Sequence, residues 1–193
     1  MKFTQTNIPD VILIEPKVFG DERGYFIETF RSDLFAKETG IKTTFVQDNE
    51  SRSSHGVLRG LHYQLPPHAQ SKLVRVIEGK VLDIAVDIRK GSPTFGQHVS
   101  VELSAENKQQ LFIPRGFAHG FVVLSETAIF AYKVDNFYSA ECDRGIQFDD
   151  PSLHIDWQIE PDKLQLSEKD KSQPSLENVT DLFDYNIHSY PSD

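Results

Sequence analysis

The chain has 193 residues, of which 38% are hydrophobic and 25% charged, a composition typical of one soluble globular domain. Its 29 acidic and 20 basic residues give a formal net charge of −9, which argues against broad binding to nucleic acid or to an anionic membrane. The single cysteine, Cys142, excludes an intrachain disulfide. No apolar run approaches the roughly 20 residues that a membrane-spanning helix needs.

The amino-terminal segment predicts two strands and a short helix. Strands are expected over Val11–Ile14 and Tyr25–Phe30, with a turn at Gly20–Gly24 between them. A helix is expected over Ser32–Gly40, with Ser32 as its cap and the terminal glycine as its stop. The first residues lack the charged and then apolar pattern of a secretory signal, so we expect a cytoplasmic protein.

From there to Tyr138 the pattern is that of β-structure. Short apolar or alternating runs are separated by Gly, Pro, Asn or Ser, with a turn at Glu78–Lys80. The predicted strands are Lys72–Ile77, Val81–Ile88, His98–Leu103, Gln110–Ile113, Gly120–Leu124 and Ala128–Val134. Many short strands at close spacing predict an all-β architecture, best described as a jelly-roll barrel, rather than βαβ units.

After Pro151 the strand pattern gives way to polar sequence. We expect helical turns packed on the barrel and a partly mobile tail from about residue 180. No internal repeat or second domain is visible. Residues 1–193 are therefore expected to form a single domain.

Two segments, Gly56–Gln64 and Ile113–Phe121, combine basic residues and histidines with flanking glycines. They resemble the two signature segments of the cupin superfamily, whose fold is a double-stranded β-helix. The string Leu58–Gln64 is very similar to that of the dTDP-4-dehydrorhamnose 3,5-epimerase family, and further similar strings follow in order from Ile8 to Asp170. The resemblance covers about nine-tenths of the chain and is more specific than one short motif.

The resemblance implies a particular reaction. Family members are isomerases that convert dTDP-4-dehydro-6-deoxy-D-glucose to dTDP-4-dehydro-L-rhamnose by proton exchange at C3 and C5, in L-rhamnose supply for surface polysaccharide. They are homodimers that use no cofactor. Many cupins bind a metal through a His-x-His pair, but Gln64 stands at the second position here, so no catalytic metal is expected.

Proton exchange beside a ketone needs a base, a cation or donor at the enolate oxygen, and an acid on the opposite face of the sugar. The resemblance implies that His62 is the base and that Asp170 is its carboxylate partner. It also implies that Lys72 faces the ketone oxygen and that Tyr132 is the proton donor. These four residues are the predicted catalytic set.

The resemblance further implies a nucleotide site. Arg23 and Arg59 match positions that grip the diphosphate, a role suited to guanidinium groups because they bind phosphate oxygens in pairs. Asp143 stands where many relatives carry Glu, which leaves its contact in question. The other implied substrate-binding residues are Phe26, Glu28, Gln47, Asp48, Asn49, Lys72, His119, Tyr138 and Lys169.

Plainer interpretations exist for several of these residues. His119 could be a buried histidine that satisfies a backbone carbonyl, and Tyr132 could be a packing residue of an alternating strand. Asp170 could be an N-terminal helix carboxylate that accepts backbone N–H bonds, and Arg23 an ordinary turn residue.

Three other functions compete with double epimerisation. The first is a single-centre epimerase or ketoisomerase, which product analysis by NMR would identify. The second is a non-catalytic cupin that binds a sugar nucleotide, which is favoured if Lys72, Tyr132 and Asp170 do not face one pocket. The third is a metal-dependent dioxygenase-like cupin, which tight stoichiometric metal and oxygen uptake would support.

Overall fold

The computed structural model of the chain describes residues 1–187 and residue 190. Fifteen strands carry the fold within this part of the chain. They are β1 (Lys2–Gln5), β2 (Ile12–Glu15), β3 (Val18–Asp21), β4 (Gly24–Ile27), β5 (Gln47–Ser54), β6 (Leu58–Gln64), β7 (Lys72–Glu78), β8 (Lys80–Asp87), β9 (Arg89–Lys90), β10 (His98–Ser104), β11 (Gln110–Ile113), β12 (Phe117–Val123), β13 (Thr127–Val134), β14 (Asp143–Gly145) and β15 (Phe183–Asp184). The predicted all-β class is confirmed.

Two antiparallel sheets form the barrel. The six-stranded sheet has the order β1-β2-β11-β7-β13-β5, and the five-stranded sheet has the order β10-β8-β12-β6-β14. Most neighbours in these sheets are distant in sequence, as in a jelly roll, because strands from both halves of the chain interleave. The turn predicted at Glu78–Lys80 is present, and Gly79 has a φ of 76°, a conformation that favours glycine.

The space between the two sheets is filled by the inward side chains of both. Because successive residues of a strand point to opposite faces, Val74 and Val76 of β7 meet Val81 and Ala85 of β8 in one buried cluster. Phe130 of β13 belongs to the same cluster. Toward one end of this interior the apolar side chains give way to polar ones, and the candidate site lies there.

A short helix covers the outer face of the six-stranded sheet. Helix α1 (Ser32–Thr39) buries Phe35 against Phe112, with ring centroids 4.9 Å apart in an edge-to-face arrangement. The predicted stop is confirmed, since Gly40 has a φ of 73° and its N–H bonds to the Ala36 carbonyl. The predicted cap is wrong: Arg31 occupies the N-cap position, with no capping hydrogen bond from its side chain.

The carboxy-terminal segments cover the outer face of the five-stranded sheet. Single 3₁₀ turns and the four-residue helix α2 (Glu168–Lys171) confirm the predicted helical turns. The 3₁₀ turns are Pro151–Leu153, Pro161–Lys163 and Leu176–Asn178. Trp157 and Phe183 pack there with outward side chains of the sheet, such as Ile84. The mobile tail stays a prediction: β15 pairs with β9, whereas residues 188–189 and 191–193 lie outside the described residues.

Strands β3 and β4 form a two-stranded arm that pairs with neither sheet. Phe26 in this arm is 69% exposed, and Val18, Phe19 and Tyr25 are exposed as well. On the barrel side the arm meets Lys108, whose ammonium group donates to the Tyr25 hydroxyl at 3.1 Å. Neither α1 nor α2 is long and apolar enough to span a membrane.

Phe112 provides a test of how α1 is held. We expect Phe112→Ala to lower the free energy of unfolding by about 3–5 kcal/mol, because the side chain is fully buried and its removal leaves a cavity under the helix. Urea denaturation followed by circular dichroism would measure the loss. Phe95→Ala is the control, since Phe95 is 39% exposed and should cost far less. Equal losses for the two variants would contradict this account of the packing.

Candidate active site

A cavity of about 610 Å³ opens between the two sheets at the polar end of the barrel interior. One wall comes from the six-stranded sheet and the other from the five-stranded sheet, and residues just before and within α2 close one side. Its lining residues are Asn49, Glu50, Ser51, Val57, Leu58, Arg59, His62, Lys72, His119, Phe121, Phe130, Tyr132, Gln165, Leu166, Ser167, Lys169 and Asp170. All four predicted catalytic residues are in this set.

His62 and Asp170 form a hydrogen-bonded pair. His62 Nε2 donates to Asp170 Oδ1 at 2.5 Å, and the Ser167 hydroxyl donates to Asp170 Oδ2 at 2.7 Å. Burial opposes ionisation of Asp170, but these two hydrogen bonds outweigh it and lower the Asp170 pKa. Asp170 does lie in the first turn of α2, yet its carboxylate bonds to side chains. The imidazole is left with Nδ1 as its acceptor nitrogen.

Lys72 presents an ammonium group to the cavity, and no acid among residues 1–187 and 190 is in contact with it. It is the first residue of β7, and its side chain lies on the inward face with those of Val74 and Val76. Burial lowers the Lys72 pKa to about 8, although the charges of Asp83 and Asp143 raise it. No ion pair joins Lys72 to an acid within the part of the chain that the structure describes. Such an ammonium group is available to an anionic oxygen.

Tyr132 lies on the wall opposite His62. It belongs to β13 of the six-stranded sheet, whereas His62 belongs to β6 of the five-stranded sheet. Burial raises the Tyr132 pKa, with Arg59 opposing this, so the phenol is protonated at neutral pH. Tyr132 also packs against Phe130 of the core, with ring centroids 6.1 Å apart. The packing role and the pocket-facing position are therefore both present.

His119 lies beside His62 on the neighbouring strand and faces a carboxylate. Its Nε2 donates to both oxygens of Asp83, at 2.9 and 3.1 Å, so the partner is a side chain and not a backbone carbonyl. Burial lowers the His119 pKa despite the opposing charge of Asp83. Asp83 was not among the predicted site residues. The signal for it in the sequence is a lone charge within the apolar run Val81–Val86.

A smaller recess of about 190 Å³ continues from the cavity. It adds Gln47, Tyr138 and Asp143 to the predicted residues that the structure brings together. Asp143 accepts from the Tyr138 hydroxyl at 3.1 Å and forms a close ion pair with Lys169. The shorter acid at position 143 therefore still reaches two neighbouring site residues.

Arg59 extends from β6 at the rim of the cavity. Its Nε and Nη2 both donate to the Ser53 hydroxyl at 3.2 Å, and Ser53 is itself buried. The guanidinium group is otherwise exposed. It is placed to meet an anion that enters from solvent.

Four predicted residues are not in these cavities. Asp48 lies on the outer face of β5, where it accepts a hydrogen bond from Lys133 at 2.8 Å. Arg23 lies in the arm, where it pairs with Asp21, and the arm also carries Phe26. Glu28 follows β4, directly after the arm. Their predicted roles remain untested.

At the position where many metal-binding cupins have a second histidine, this chain has Gln64, which bonds to backbone groups. Gln64 is buried, and its amide donates to the carbonyls of His68 and Phe137 at 2.7 and 3.2 Å. Its oxygen accepts from the backbone N–H of Ser139 at 2.7 Å. Among the described residues, no three His, Cys, Asp or Glu side chains are grouped as metal ligands.

Known proteins share this sequence and fold. A family model described as dTDP-4-dehydrorhamnose 3,5-epimerase matches residues 5–178. The chain is 59% identical over 170 residues to a dTDP-4-dehydrorhamnose 3,5-epimerase of Shigella flexneri, covering 88% of this chain and 93% of that protein. The chain belongs to the dTDP-4-dehydrorhamnose 3,5-epimerase family. It is an isomerase, and its fold is the cupin-type jelly roll that the sequence predicted.

Two solved structures illustrate the range of this similarity. A dTDP-6-deoxy-D-glucose-3,5-epimerase of Legionella pneumophila, in complex with dTDP-4-keto-L-rhamnose, is 50% identical with a TM-score of 0.93, covering 96% of this chain and 99% of its own. A 3'-monoepimerase of Streptomyces bikiniensis, in complex with dTDP-quinovose, is 32% identical with a TM-score of 0.86. That match covers 94% of this chain and 92% of the other. One fold therefore carries both double and single epimerases.

The half-buried ammonium group of Lys72 should reduce stability. We expect Lys72→Met to raise the free energy of unfolding at pH 7 by roughly 1–3 kcal/mol, because the charge no longer has to be desolvated. The folded pKa of about 8 lies below the unfolded value of 10.5, so the folded protein binds fewer protons between these values. The destabilising contribution of Lys72 therefore becomes smaller as pH rises across this window, and the advantage of the variant over the wild type shrinks.

Urea denaturation at pH 7 and pH 10 would measure both effects. Lys80→Met is the control, since Lys80 is a surface residue paired with Glu102 and its replacement should change stability little. A Lys72→Met protein that is less stable than wild type at pH 7 would contradict the prediction.

Proposed function

We propose that this cavity inverts C3 and C5 of dTDP-4-dehydro-6-deoxy-D-glucose and releases dTDP-4-dehydro-L-rhamnose. The observation that carries the proposal is the placement of His62 and Tyr132 on opposite walls, with Lys72 facing the same space. Inversion requires that a proton leave one face of the sugar and return to the other. A base and an acid on opposite walls meet this requirement.

The proton transfers follow from the contacts of each group. His62 Nδ1 takes the proton from the carbon beside the ketone, and the C–H electrons form the enolate. Asp170 stabilises the imidazolium through the bond at Nε2. Lys72 donates to the enolate oxygen, where one well-placed donor lowers the barrier by roughly 3 kcal/mol.

The return of the proton completes the inversion. Tyr132 gives its phenolic proton to the opposite face of the same carbon, and the ketone forms again. The tyrosinate and the imidazolium are then reset by exchange with water. The second carbon, on the other side of the ketone, passes through the same steps. Side chains supply the base, the oxyanion partner and the acid, so the proposed reaction needs no cofactor.

The nucleotide is proposed to bind at the rim and in the recess. Arg59 would meet the diphosphate, and Lys169 is a second cation beside the cavity. Tyr138 is 60% exposed and could stack on the thymine ring. Gln47 and Asn49, joined by a hydrogen bond of 2.9 Å, offer amide groups to the base.

We propose that the active form is a homodimer in which the arm of each chain completes the site of the other. The arm exposes Phe19, Tyr25 and Phe26, whose apolar surface is left uncovered by the described part of the chain. Arg23 is predicted to bind the diphosphate but does not line its own cavity. A partner chain that buries the arm would explain both observations.

Single-centre epimerisation is the second candidate. The similarity to the Streptomyces bikiniensis 3'-monoepimerase favours it, because that protein shares the fold. Under this alternative His62 and Tyr132 keep their roles, but only one carbon presents its proton to the base.

We further propose that residues 1–193 act as one domain, since β1 and β13 lie in one sheet and later segments cover the barrel. We propose that this domain acts in the cytoplasm.

Deuterium exchange tests the reaction. We expect chelator-treated protein in D2O to introduce deuterium at both C3 and C5 of dTDP-4-dehydro-6-deoxy-D-glucose, as seen by NMR. His62→Ala should slow exchange at both carbons by about 10³-fold, because the base is lost. Tyr132→Phe should lower kcat by about 10²-fold with little change in KM, because it removes the acid and leaves the binding surface.

The matched controls are His55→Ala and Tyr185→Phe, which alter the same residue types outside the cavity and should leave exchange unchanged. Deuterium at one carbon only would establish the single-centre alternative. A Tyr132→Phe protein with an unchanged kcat would refute the acid assignment, and no exchange by the wild type would refute the enzyme proposal.

Mixed dimers test the shared site. Arg23→Ala and His62→Ala proteins should each be nearly inactive, yet mixing them through a cycle of dissociation should restore about a quarter of wild-type activity. A mixed dimer then contains one intact site, built from His62 of one chain and Arg23 of the other. The control mixes His62→Ala with Lys72→Met, two cavity residues of the same chain, and should restore nothing in the same assay. Failure of the first mixture to recover activity would place Arg23 outside the partner site.

A further inference from the structure

Asp83 is a buried carboxylate that the proposed proton transfers do not use. It lies in β8 with 0% exposure, between Leu82 and Ile84. Strand alternation places it on the inward face with Val81 and Ala85, which belong to the core between the sheets. A charged group in such a position is costly unless it is paired, and its presence calls for a physical account.

The only hydrogen-bond partner of the Asp83 carboxylate within the described residues is His119, which donates Nε2–H to both of its oxygens. Burial lowers the pKa of His119, so this partner is neutral near pH 7 and does not cancel the charge. The charge of Asp83 instead acts on Lys72, which has no acid in contact. Lys72 therefore lines the cavity without an acid in contact among the described residues, and Asp83 lies behind His119 as a carboxylate bonded to that histidine alone.

We propose that Asp83 is a positioning residue for the epimerisation, which holds His119 in one tautomer and keeps the Lys72 ammonium protonated beside the ketone oxygen. The inference rests on the proposed function, because it assumes that Lys72 faces the developing enolate. Protonation matters there, since only the ammonium form offers both a charge and donors to an oxyanion.

The other groups around Lys72 do not replace Asp83. Two acids act on Lys72 through their charges, Asp83 from β8 and Asp143 from β14. The other titratable or charged residues that line the same cavities are Glu50, Arg59, His62, Tyr63, His119, Tyr132, Tyr138, Lys169 and Asp170. Asp143 is ion-paired with Lys169, and Asp170 is bonded to His62. Of the two carboxylates whose charges act on Lys72, Asp83 is the one that no Lys or Arg contacts among the described residues.

The hydrogen bond from Asp83 also defines what His119 offers to a ligand. With Nε2 as the donor to Asp83, Nδ1 carries the lone pair. His119 lines the cavity and can therefore accept a hydrogen bond from a sugar hydroxyl. The Asp83 carboxylate in this way fixes the tautomer of His119 and favours the protonated form of Lys72.

Asp83→Asn is the sharpest test, because it keeps the size of the side chain and one oxygen acceptor for His119 while it removes the charge. We expect the alkaline limb of the kcat/KM profile, near pH 8 in the wild type, to move down by about one pH unit. The limb moves to lower pH because activity needs protonated Lys72 and falls as pH rises through the Lys72 pKa, which is lower without the charge of Asp83. The Lys72 pKa itself can be measured without turnover by NMR of protein labelled with 13C at lysine Cε, with its signal assigned by its loss in Lys72→Met.

Asp87→Asn is the matched control. Asp87 lies in the same strand and is equally buried, but it binds Arg89, Ser92 and Thr94, away from the cavity. Its replacement should lower Tm and leave the Lys72 pKa and the pH profile in place. Asp83→Ser removes the same charge with a smaller side chain. The same two measurements are made on Asp83→Ser if the Asp83→Asn protein does not fold.

The outcomes separate this inference from the proposed function. A lower Lys72 pKa together with a shifted pH profile supports both. A lower Lys72 pKa with an unmoved profile supports the effect of Asp83 and counts against the role of Lys72 in the reaction. A Lys72 pKa that stays at its wild-type value in Asp83→Asn or Asp83→Ser overturns the inference.

Discussion

Side-chain alternation in two facing sheets is the constraint on which the candidate site depends. Successive residues of a strand point to opposite faces, so the inward face that buries Val74 also carries Lys72. On β13 the same face carries both Phe130 and Tyr132. A slip of one residue would replace Lys72 with Leu73 in the cavity. The apolar packing that stabilises the barrel therefore also fixes the distance between the groups of the two walls.

Some charged residues of the cavity are paired with a residue of opposite charge or with a histidine, and within the described part of the chain Lys72 is not. The paired groups are held in place by their partners, whereas the ammonium group of Lys72 is available to a substrate. Asp170 is bonded to His62, and Asp143 is paired with Lys169. Among the described residues Lys72 has no such partner in contact, so burial lowers its pKa, although the charges of Asp83 and Asp143 raise it. An unpaired cation opposes folding but leaves a group that a substrate oxygen can use. The aromatic contacts under α1 and the core between the sheets are the parts of the fold that offset this cost.

The exposed arm connects assembly to activity in the proposed function. A hairpin with Phe19 and Phe26 on its surface gains stability only when another surface covers it. If that surface is a second copy, Arg23 reaches a cavity that already holds the catalytic groups. Each chain would then supply the proton-transfer groups of its own site and a phosphate contact of the other. Binding of the nucleotide would depend on the dimer, whereas the positions of the catalytic groups would depend on one barrel.

The sequence by itself determined the strands whose pattern is locally apolar or alternating, such as β11 and β13, and its resemblance to the family indicated part of the cavity lining, including His62, Lys72 and Tyr132. It did not predict β5, because Gln47–Ser54 is polar throughout and becomes a strand only by pairing with β13. It also missed the contact of Asp83 with His119. Local sequence carries periodicity and propensity, but the register of distant strands decides which charges meet. Only the tertiary structure could therefore join Asp83 to His119, 36 positions apart, whereas the pairing of His62 with Asp170 was implied by the family resemblance and not by local sequence.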